Sequence, residues 1–208
     1  MTKKVCIIES DHLYDKMFLS VGWTLVTSPE EADLICFTGG EDVTPALYGH
    51  QNIASNCNWL RDVREKEIYD AYVGKIPFVG VCRGGQFLNV MNGGLMFQHV
   101  DNHGIGGMHE MVNDLDQVIH VTSTHHQMMR PSGKGEIIGE AGSRATQFIA
   151  WDHPKSPMSD TEVVWYEETQ SLCFQPHPEY RGAEETKKAF FDYIDRYIDF
   201  EKFGKVAA

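Results

Sequence analysis

One stretch decides how the chain folds: Pro77-Phe78-Val79-Gly80-Val81-Cys82-Arg83-Gly84-Gly85-Gln86-Phe87-Leu88-Asn89-Val90-Met91-Asn92-Gly93-Gly94. Pro77 opens a short apolar run that is typical of a buried parallel strand. Apolar residues then recur at helical spacing, and Gly93 stands where a helix C-cap is expected. The pattern predicts a strand, a sharp turn and a helix, with Cys82 at the turn.

The turn has the residue order of a nucleophile elbow. In Gly80-x-Cys82-x-Gly84, small neighbours permit a strained turn that lifts the nucleophile above the sheet, as in the elbow written with serine. Unpaired N–H groups and the positive dipole end of the following helix favour the thiolate form of a cysteine placed there. A motif this short is equally compatible with a buried structural cysteine, so the rest of the chain has to decide.

The composition indicates one globular domain. The chain has 208 residues, of which 42% are hydrophobic, and we expect a single domain over residues 1–208 because no repeat or linker divides it. The formal net charge of −12 argues against nucleic-acid and anionic-membrane partners, since both require clustered Lys and Arg.

The N-terminus and the cysteines indicate the compartment. The first residues are too briefly apolar for a signal peptide and no run approaches membrane-spanning length, so we expect a cytoplasmic protein. The five cysteines are odd in number and show no Cys-x-x-Cys spacing, which indicates neither a disulfide framework nor a zinc knuckle. Cys6, Cys36 and Cys173 lie in apolar runs typical of a core, whereas Cys82 is flanked by glycines.

Strand-like and helix-like segments alternate along the chain. Strands are predicted at 5–8, 23–26, 33–37, 77–81, 118–123, 147–151, 163–166 and 171–175, and helices at 11–20, 58–74, after Cys82 and at 183–203. Between 96 and 123 the short pieces broken by Gly and Asn predict antiparallel pairing. We therefore expect an α/β, flavodoxin-like fold with a mostly parallel central sheet, flanking helices and additional antiparallel strands in the C-terminal half.

Two further motifs fall at strand ends, where the ligands of parallel sheets bind. Gly39-Gly40 follows the third strand. His177 follows the last strand between two prolines that favour extended backbone, and Glu179 lies close enough to orient its imidazole. A nucleophilic cysteine needs such a base and such an orienting group. Alone, this His-x-Glu would be better interpreted as a surface loop.

With all three motifs present, the chain resembles the class I glutamine amidotransferases. It is most similar to the branch that contains γ-glutamyl-γ-aminobutyrate and related γ-glutamyl-amine hydrolases. The residues that carry this finer resemblance are Phe37 to Pro45, Tyr48-Gly49, Arg61-Asp62 with Glu65, Cys82 to Gln86, Leu88 to Val90, Gly93-Gly94 and Ser123 to Gln127.

The resemblance implies a role for each matching residue. Cys82 would be the nucleophile, His177 the base and Glu179 the group that orients it. The oxyanion hole would be formed by the backbone N–H groups of Gly40 and Arg83, which fits the need for preorganised donors at a position that a substrate can approach closely.

The resemblance also implies the substrate-binding residues, namely Gln86, Ser123 and His125. The chain departs from the family pattern at Thr38, where proline is usual, and we expect this change to loosen the glycine loop. Pro176 stands where an apolar residue is usual and removes one backbone donor. The chain is also shorter than the free-standing hydrolases, so we expect trimmed loops on the side of the leaving amine.

The predicted function is thiol-dependent hydrolysis of a γ-glutamyl amide through a γ-glutamyl thioester. In the first hypothesis the substrate is glutamine, and the ammonia passes to a synthetase that must be a separate chain. In the second, the chain is a stand-alone γ-glutamyl-amine hydrolase that releases glutamate and an amine. A non-catalytic binding or regulatory protein of the same fold is the third, and the intact triad argues against it.

No cofactor is predicted. His99, His103 and His109 with Asp101 could be interpreted as a metal cluster, but their spacing matches no strong zinc pattern and histidines are common at pocket rims. We therefore predict no metal site from the sequence.

Overall fold

The structure is a computed structural model that describes residues 2–104, 106–142 and 144–203. The helices are α1 His12–Ser20, α2 Trp59–Tyr72, α3 Arg83–Met91 and α4 Glu184–Tyr197. The strands are β1 Lys4–Ile8, β2 Thr24–Val26, β3 Leu34–Phe37, β4 Phe78–Val81, β5 Leu95–Phe97, β6 His99–Val100, β7 Gly107–Asn113, β8 Val118–Ser123, β9 Met128–Arg130, β10 Glu136–Ala141, β11 Phe148–Ile149, β12 Asp160–Tyr166 and β13 Ser171–Phe174.

A nine-stranded sheet organises these elements in the order β2-β1-β3-β4-β13-β12-β10-β7-β8. The five strands from β2 to β13 run parallel to their neighbours, and the remaining four continue the sheet with antiparallel pairing. Two short ribbons, β5-β9 and β6-β11, lie outside it. This arrangement confirms the predicted α/β fold, including its antiparallel C-terminal half.

Both faces of the parallel strands are covered by apolar side chains. Alternation along each strand sends Cys36 and Val79 to the face that α1 and α4 cover, and sends Phe37 and Phe78 to the face that α2 and α3 cover. All four of these side chains are fully buried. The carboxyl ends of β3, β4 and β13 are thereby held at one edge of a rigid core, which is the edge where the predicted site residues follow.

Some predicted boundaries were wrong. The last helix ends at Tyr197 rather than near residue 203, because the chain turns at Asp199. The Asp199 N–H donates to the Gln170 side chain, and the Asp199 carboxylate accepts from the N–H groups of Glu201 and Lys202. Among the described residues, none of the helices has the length and apolar character needed to cross a bilayer.

The strand-to-helix turn requires glycine because neighbouring backbone atoms leave no space for a Cβ. A Cβ on Gly80 would overlap the backbone of Gly84, and a Cβ on Gly84 would overlap the carbonyl oxygen of Phe37. A Cβ on Gly85 would lie 2.9 Å from the backbone nitrogen of Phe174. Since these neighbours are backbone atoms of β3, β13 and α3 itself, no rotamer change can make room.

A substitution at Gly84 tests this close approach. In an ordinary helix interior, Gly→Ala stabilises by about 1 kcal/mol, whereas we expect Gly84→Ala to lower the free energy of unfolding by about 1–3 kcal/mol or more because the Cβ overlaps backbone. Urea unfolding measures the difference. Gly133→Ala is the matched control, since a Cβ there meets nothing within 4 Å. A Gly84→Ala variant that is more stable than the parent would contradict the close approach.

Candidate active site

Cys82 lies between β4 and α3 in a strained backbone conformation. Its φ and ψ are +51° and −112°, a region that non-glycine residues rarely occupy. The conformation is held from both sides, because the Cys82 N–H donates to the Phe174 carbonyl at 2.8 Å and the Cys82 carbonyl accepts from the Gln86 N–H at 3.0 Å. Strain of this kind is typical of functional turns and of the nucleophile elbow.

His177 lies beside Cys82 and is paired with Glu179. The Nδ1 atom of His177 is 2.6 Å from Oε1 of Glu179, and both residues are about nine-tenths buried, with 8% exposure each. Tyr180 stacks on the imidazole at a ring-centroid distance of 4.4 Å. The His177 N–H also donates to the Thr122 hydroxyl on β8 at 2.6 Å. With Nδ1 occupied by Glu179, the Nε2 atom is the one left for the thiol and for substrate.

The surroundings of His177 favour its protonated form. Burial alone would lower the pKa of His177, but its interactions with Cys82 and Glu179 outweigh burial and raise that pKa to about 11. An imidazolium beside a cysteine can donate a proton to a leaving amine, and the neutral imidazole that remains can remove a proton from water in a later step.

The loop Gly39-Gly40 lies against the same two side chains. A Cβ on Gly39 would be 2.9 Å from Cε1 of His177 and 3.7 Å from Cβ of Cys82. Gly40 has a φ of +142°, which favours glycine. The Gly39 N–H donates to the Tyr14 hydroxyl at 3.0 Å, so α1 also supports the loop. Burial and the proximity of Glu179 raise the pKa of Tyr14, which keeps its hydroxyl neutral.

Thr38 holds the loop rather than loosening it. Its hydroxyl donates to the carbonyls of Ile8 and Glu9, at 3.0 and 3.1 Å. Both its hydroxyl and its carbonyl accept from the Arg61 guanidinium, at 3.1 and 2.9 Å. The expectation of a loose loop was therefore wrong, because threonine supplies hydrogen bonds that proline lacks.

Four buried charged residues, Arg61, Asp62, Glu65 and Arg83, form what we call the arginine network. Arg61 donates to Glu65 at 2.8 Å, and Arg83 pairs with both Asp62 and Glu65. All four are at most 5% exposed. Burial and repulsion from Arg61 lower the pKa of Arg83 to about 10, against the opposing effect of Asp62, so Arg83 stays charged at neutral pH.

The arginine network connects three parts of the site. Arg61 also donates to the Gly39 carbonyl at 2.9 Å, and Asp62 accepts from the Thr44 N–H at 2.9 Å. Arg83 is the first residue of α3 and follows Cys82 directly. Helix α2 is thereby tied to the glycine loop and to the elbow, and removal of one charge would leave its buried partner uncompensated.

A cavity of about 180 Å³ opens over Cys82. Its lining residues are Gly40, Glu41, Asp42, Asn56, Cys82, Arg83, Gln86, Thr124, His125, His126 and Gln127. A larger groove of about 570 Å³ between β8 and α4 contains no cysteine or histidine among its lining residues. The smaller cavity is therefore the candidate active site.

Of the three residues predicted to bind substrate, two line the cavity and one does not. Gln86 lines the cavity and donates to Gln175 at 3.1 Å. His125 also lines it. Ser123 does not, since it is fully buried and its hydroxyl donates to the His103 carbonyl at 2.8 Å. Direct substrate contacts by these residues stay predictions.

Several residues of the site had not been identified from the sequence. Tyr14 and Thr122 hold the glycine loop and the backbone of His177, and Tyr180 covers its imidazole. No local motif marks Tyr14 or Thr122. Tyr180 directly follows the His-x-Glu motif, which is the one signal that could have found it.

The chain is similar to a known protein family and to named proteins. The family model for peptidase C26 matches residues 27–147. The protein YvdE of Lactococcus lactis subsp. lactis is provisionally described as glutamine amidotransferase-like. It is 30% identical to this chain over 196 residues, which cover 78% of this chain and 77% of that protein. A Schizosaccharomyces pombe protein, provisionally named a glutamine amidotransferase, is 33% identical over 115 residues, which cover 53% of this chain and 44% of that protein.

Solved structures share the fold at low sequence identity. A glutamine amidotransferase from Thermotoga maritima superposes with a TM-score of 0.62 at 14% identity, covering 98% of this chain and 89% of that chain. A Thermoplasma acidophilum protein that is provisionally named as part of a GMP synthase gives a TM-score of 0.67 at 12% identity and 94% coverage of both chains.

The arginine network generates a stability prediction. We expect Asp62→Asn to lower the free energy of unfolding by about 3 kcal/mol or more, because it leaves a buried guanidinium partly uncompensated. Asp70→Asn on the same helix is the matched control and should cost no more than about 0.5 kcal/mol, since its ion pair with Lys66 is exposed. Urea unfolding of both variants measures the losses. Similar small losses for the two would contradict a supporting role for the buried charges.

Proposed function

The chain belongs to the peptidase C26 family and is class I glutamine amidotransferase-like, and from this premise we propose that it hydrolyses a γ-glutamyl amide with Cys82 as the nucleophile. The observation that carries the proposal is the placement of Cys82, on a strained elbow beside the imidazole that Glu179 orients. The family relation supports a cysteine-type amidohydrolase. The identity of the nucleophile and that of the substrate belong to the proposal.

In the first half-reaction the Cys82 thiolate attacks the γ-carbonyl carbon of the substrate. The carbonyl oxygen becomes an oxyanion, and the C–N bond breaks as His177 donates its proton to the leaving nitrogen. Ammonia or an amine departs, and the glutamyl group stays on Cys82 as a thioester. Glu179 holds the ring in position and stabilises its charged form.

In the second half-reaction water replaces the amine. His177, now neutral, removes a proton from water, and the resulting hydroxide attacks the thioester carbonyl. The C–S bond breaks, glutamate leaves, and Cys82 returns as a thiolate beside protonated His177. Atoms and charges balance over the cycle without a redox partner.

The backbone N–H groups of Gly40 and Arg83 are proposed to stabilise the oxyanion in both steps. Both residues line the cavity next to Cys82, and neither N–H donates to another group of the described residues. The Arg83 N–H is also one of the unpaired donors at the N-terminus of α3. Donors that are already fixed in place need no reorganisation as charge develops, which is why the arginine network matters for rate as well as for stability.

Two leaving groups are compatible with this mechanism. If the substrate is glutamine, the small cavity suffices for its side chain, and the ammonia would serve a synthetase on a separate chain. The alternative is a γ-glutamyl amine, as in the hydrolase branch that the sequence resembles. Glu41 and Asp42 on the cavity wall favour an amine with a second positive charge over one with a carboxylate. These carboxylates also suit the α-ammonium group that every γ-glutamyl substrate carries.

Glutamate release by the purified chain tests the proposal. We expect release from glutamine or from a γ-glutamyl diamine, and a loss of at least about 10³-fold in kcat for Cys82→Ser, because serine does not form its anion readily. Cys57→Ser is the matched control and should retain parent activity, because Cys57 lies outside the cavity lining.

The same assay separates the candidates. Preference for the γ-glutamyl diamine with glutamine ignored would favour the stand-alone hydrolase over the synthetase-coupled glutaminase. Undiminished turnover by Cys82→Ser would contradict the mechanism for both. Circular dichroism of each variant shows whether a loss comes from chemistry or from unfolding.

A further inference from the structure

Three histidines and one glutamate meet in the interior behind the cavity wall. His103 follows β6, His109 lies on β7, His125 follows β8 and Glu162 lies on β12. Their exposed fractions are 0%, 3%, 3% and 0%. A buried carboxylate among three imidazoles is unusual for a core, and the catalytic mechanism uses none of these side chains.

One nitrogen of each histidine approaches the same carboxylate oxygen. The distances to Oε1 of Glu162 are 3.0 Å from Nε2 of His109, 3.4 Å from Nδ1 of His103 and 3.6 Å from Nε2 of His125. In tetrahedral zinc sites the metal–nitrogen and metal–oxygen bonds are about 2.0–2.1 Å, which places neighbouring ligand atoms about 3.3 Å apart. The observed distances lie on both sides of that value.

These ligand atoms are not satisfied by hydrogen bonds within the described residues. Nδ1 of His103, Nε2 of His109, Nε2 of His125 and Oε1 of Glu162 are all buried without a hydrogen-bond partner there. The His109 nitrogen is near enough to Glu162, but its N–H direction does not point at the oxygen. A buried polar atom that is left unpaired destabilises the fold unless something else satisfies it. The ligand atoms of His103, His109 and Glu162 lie within 4.8 Å of one another, close enough for a single ion to reach all three.

The opposite nitrogens of two of the rings have the partners that metal-bound histidines have. Nε2 of His103 is 2.8 Å from a carboxylate oxygen of Asp160, and Nδ1 of His125 is 2.9 Å from the carbonyl of Gln127. Such outer contacts fix the tautomer and leave the other nitrogen free to coordinate. In both rings, these contacts therefore leave the nitrogen nearer to Glu162 available as the metal ligand.

We propose that His103, His109 and Glu162 bind one divalent metal ion, with zinc the best match, and that His125, whose Nε2 lies 3.6 Å from the same carboxylate oxygen, moves in as the fourth ligand when the ion binds. Imidazole nitrogen and carboxylate oxygen are both zinc ligands, and four protein ligands in a tetrahedron describe a closed, structural site. The ion would also balance the two buried carboxylates of Glu162 and Asp160. The absence of a metal site predicted from the sequence concerned another group, in which His99 and Asp101 were joined to His103 and His109, and it stays a prediction.

Two members of that group, His99 and Asp101, lie apart from the buried histidines. His99 pairs with His126 at 3.5 Å, and Asp101 binds the loop at Thr146 and Gln147, so neither reaches the cluster. The proposed ligands lie on β7, on β12 and in the segments after β6 and β8, so they are far apart in the sequence. A bound ion would fix His125, and with it the segment Thr124 to Gln127 that forms one wall of the cavity.

Metal analysis of the untagged full chain tests the site. The chain is treated with chelator, reloaded with Zn²⁺ and dialysed, and elemental analysis should then find about one zinc per chain, as for a closed site with four protein ligands. Zinc should raise the melting temperature of the stripped chain, because an ion that binds the folded state stabilises it. Co²⁺ in place of zinc should give the intense visible absorption of a tetrahedral site.

The matched variants are His109→Gln and His120→Gln. His109 is a proposed ligand outside the cavity lining, and we expect its variant to bind zinc at least about tenfold more weakly. His120 is an exposed residue of the neighbouring strand, and its variant should bind zinc like the parent. Neither test depends on the proposed hydrolysis, since both read metal content and melting temperature.

Two results would overturn the proposal. A folded parent chain that takes up no zinc, with a melting temperature that zinc leaves unchanged, would show that the cluster holds no ion. Equal zinc content in the parent and in His109→Gln would place the metal elsewhere. If His109→Gln fails to fold, the zinc content and the Co²⁺ spectrum of the parent still decide whether a tetrahedral site exists.

Discussion

The backbone of α3 approaches β3 and β13 more closely than any side chain would permit, and the active site depends on this contact. Gly80 and Gly84 leave no space for a Cβ, so the turn between them is compressed against the sheet. The compression holds Cys82 at a positive φ, where the residue lines the cavity at the edge of the core. Packing energy from the buried sheet thus sustains the local strain that presents the nucleophile.

The arginine network extends this constraint to the groups around the thiol. Two guanidinium groups and two carboxylates in the interior are expensive to desolvate, and an apolar core of the same volume could be as stable. Here their hydrogen bonds reach the carbonyls of Thr38 and Gly39, and Arg83 follows the nucleophile directly. We interpret the network as the means by which the glycine loop and the elbow keep one relative position, which the proposed oxyanion hole needs.

Local motifs allowed much of the fold and part of the site to be predicted. The elbow, the glycine pair and His177-Pro178-Glu179 are short patterns, and the alternation of strands and helices placed all three at one sheet edge. The residues that hold the site in place could not be predicted from short motifs. Tyr14 and Thr122 act through contacts that depend on how α1 and β8 pack. The histidine cluster depends on antiparallel pairing with an irregular register in β10, which no sequence spacing encodes.

The central claim is that the reaction passes through a glutamyl thioester on Cys82. Mass spectrometry of intact His177→Asn protein, mixed with an activated γ-glutamyl ester and quenched, tests it most directly. The leaving group of such an ester needs no proton from His177, so loss of the base should slow deacylation and let the adduct accumulate. The account predicts a mass increase equal to one glutamyl group, located by peptide mapping on Cys82 alone. An adduct on Cys6, Cys36, Cys57 or Cys173, or glutamate release without any adduct on Cys82 in a quenched single turnover, would contradict it.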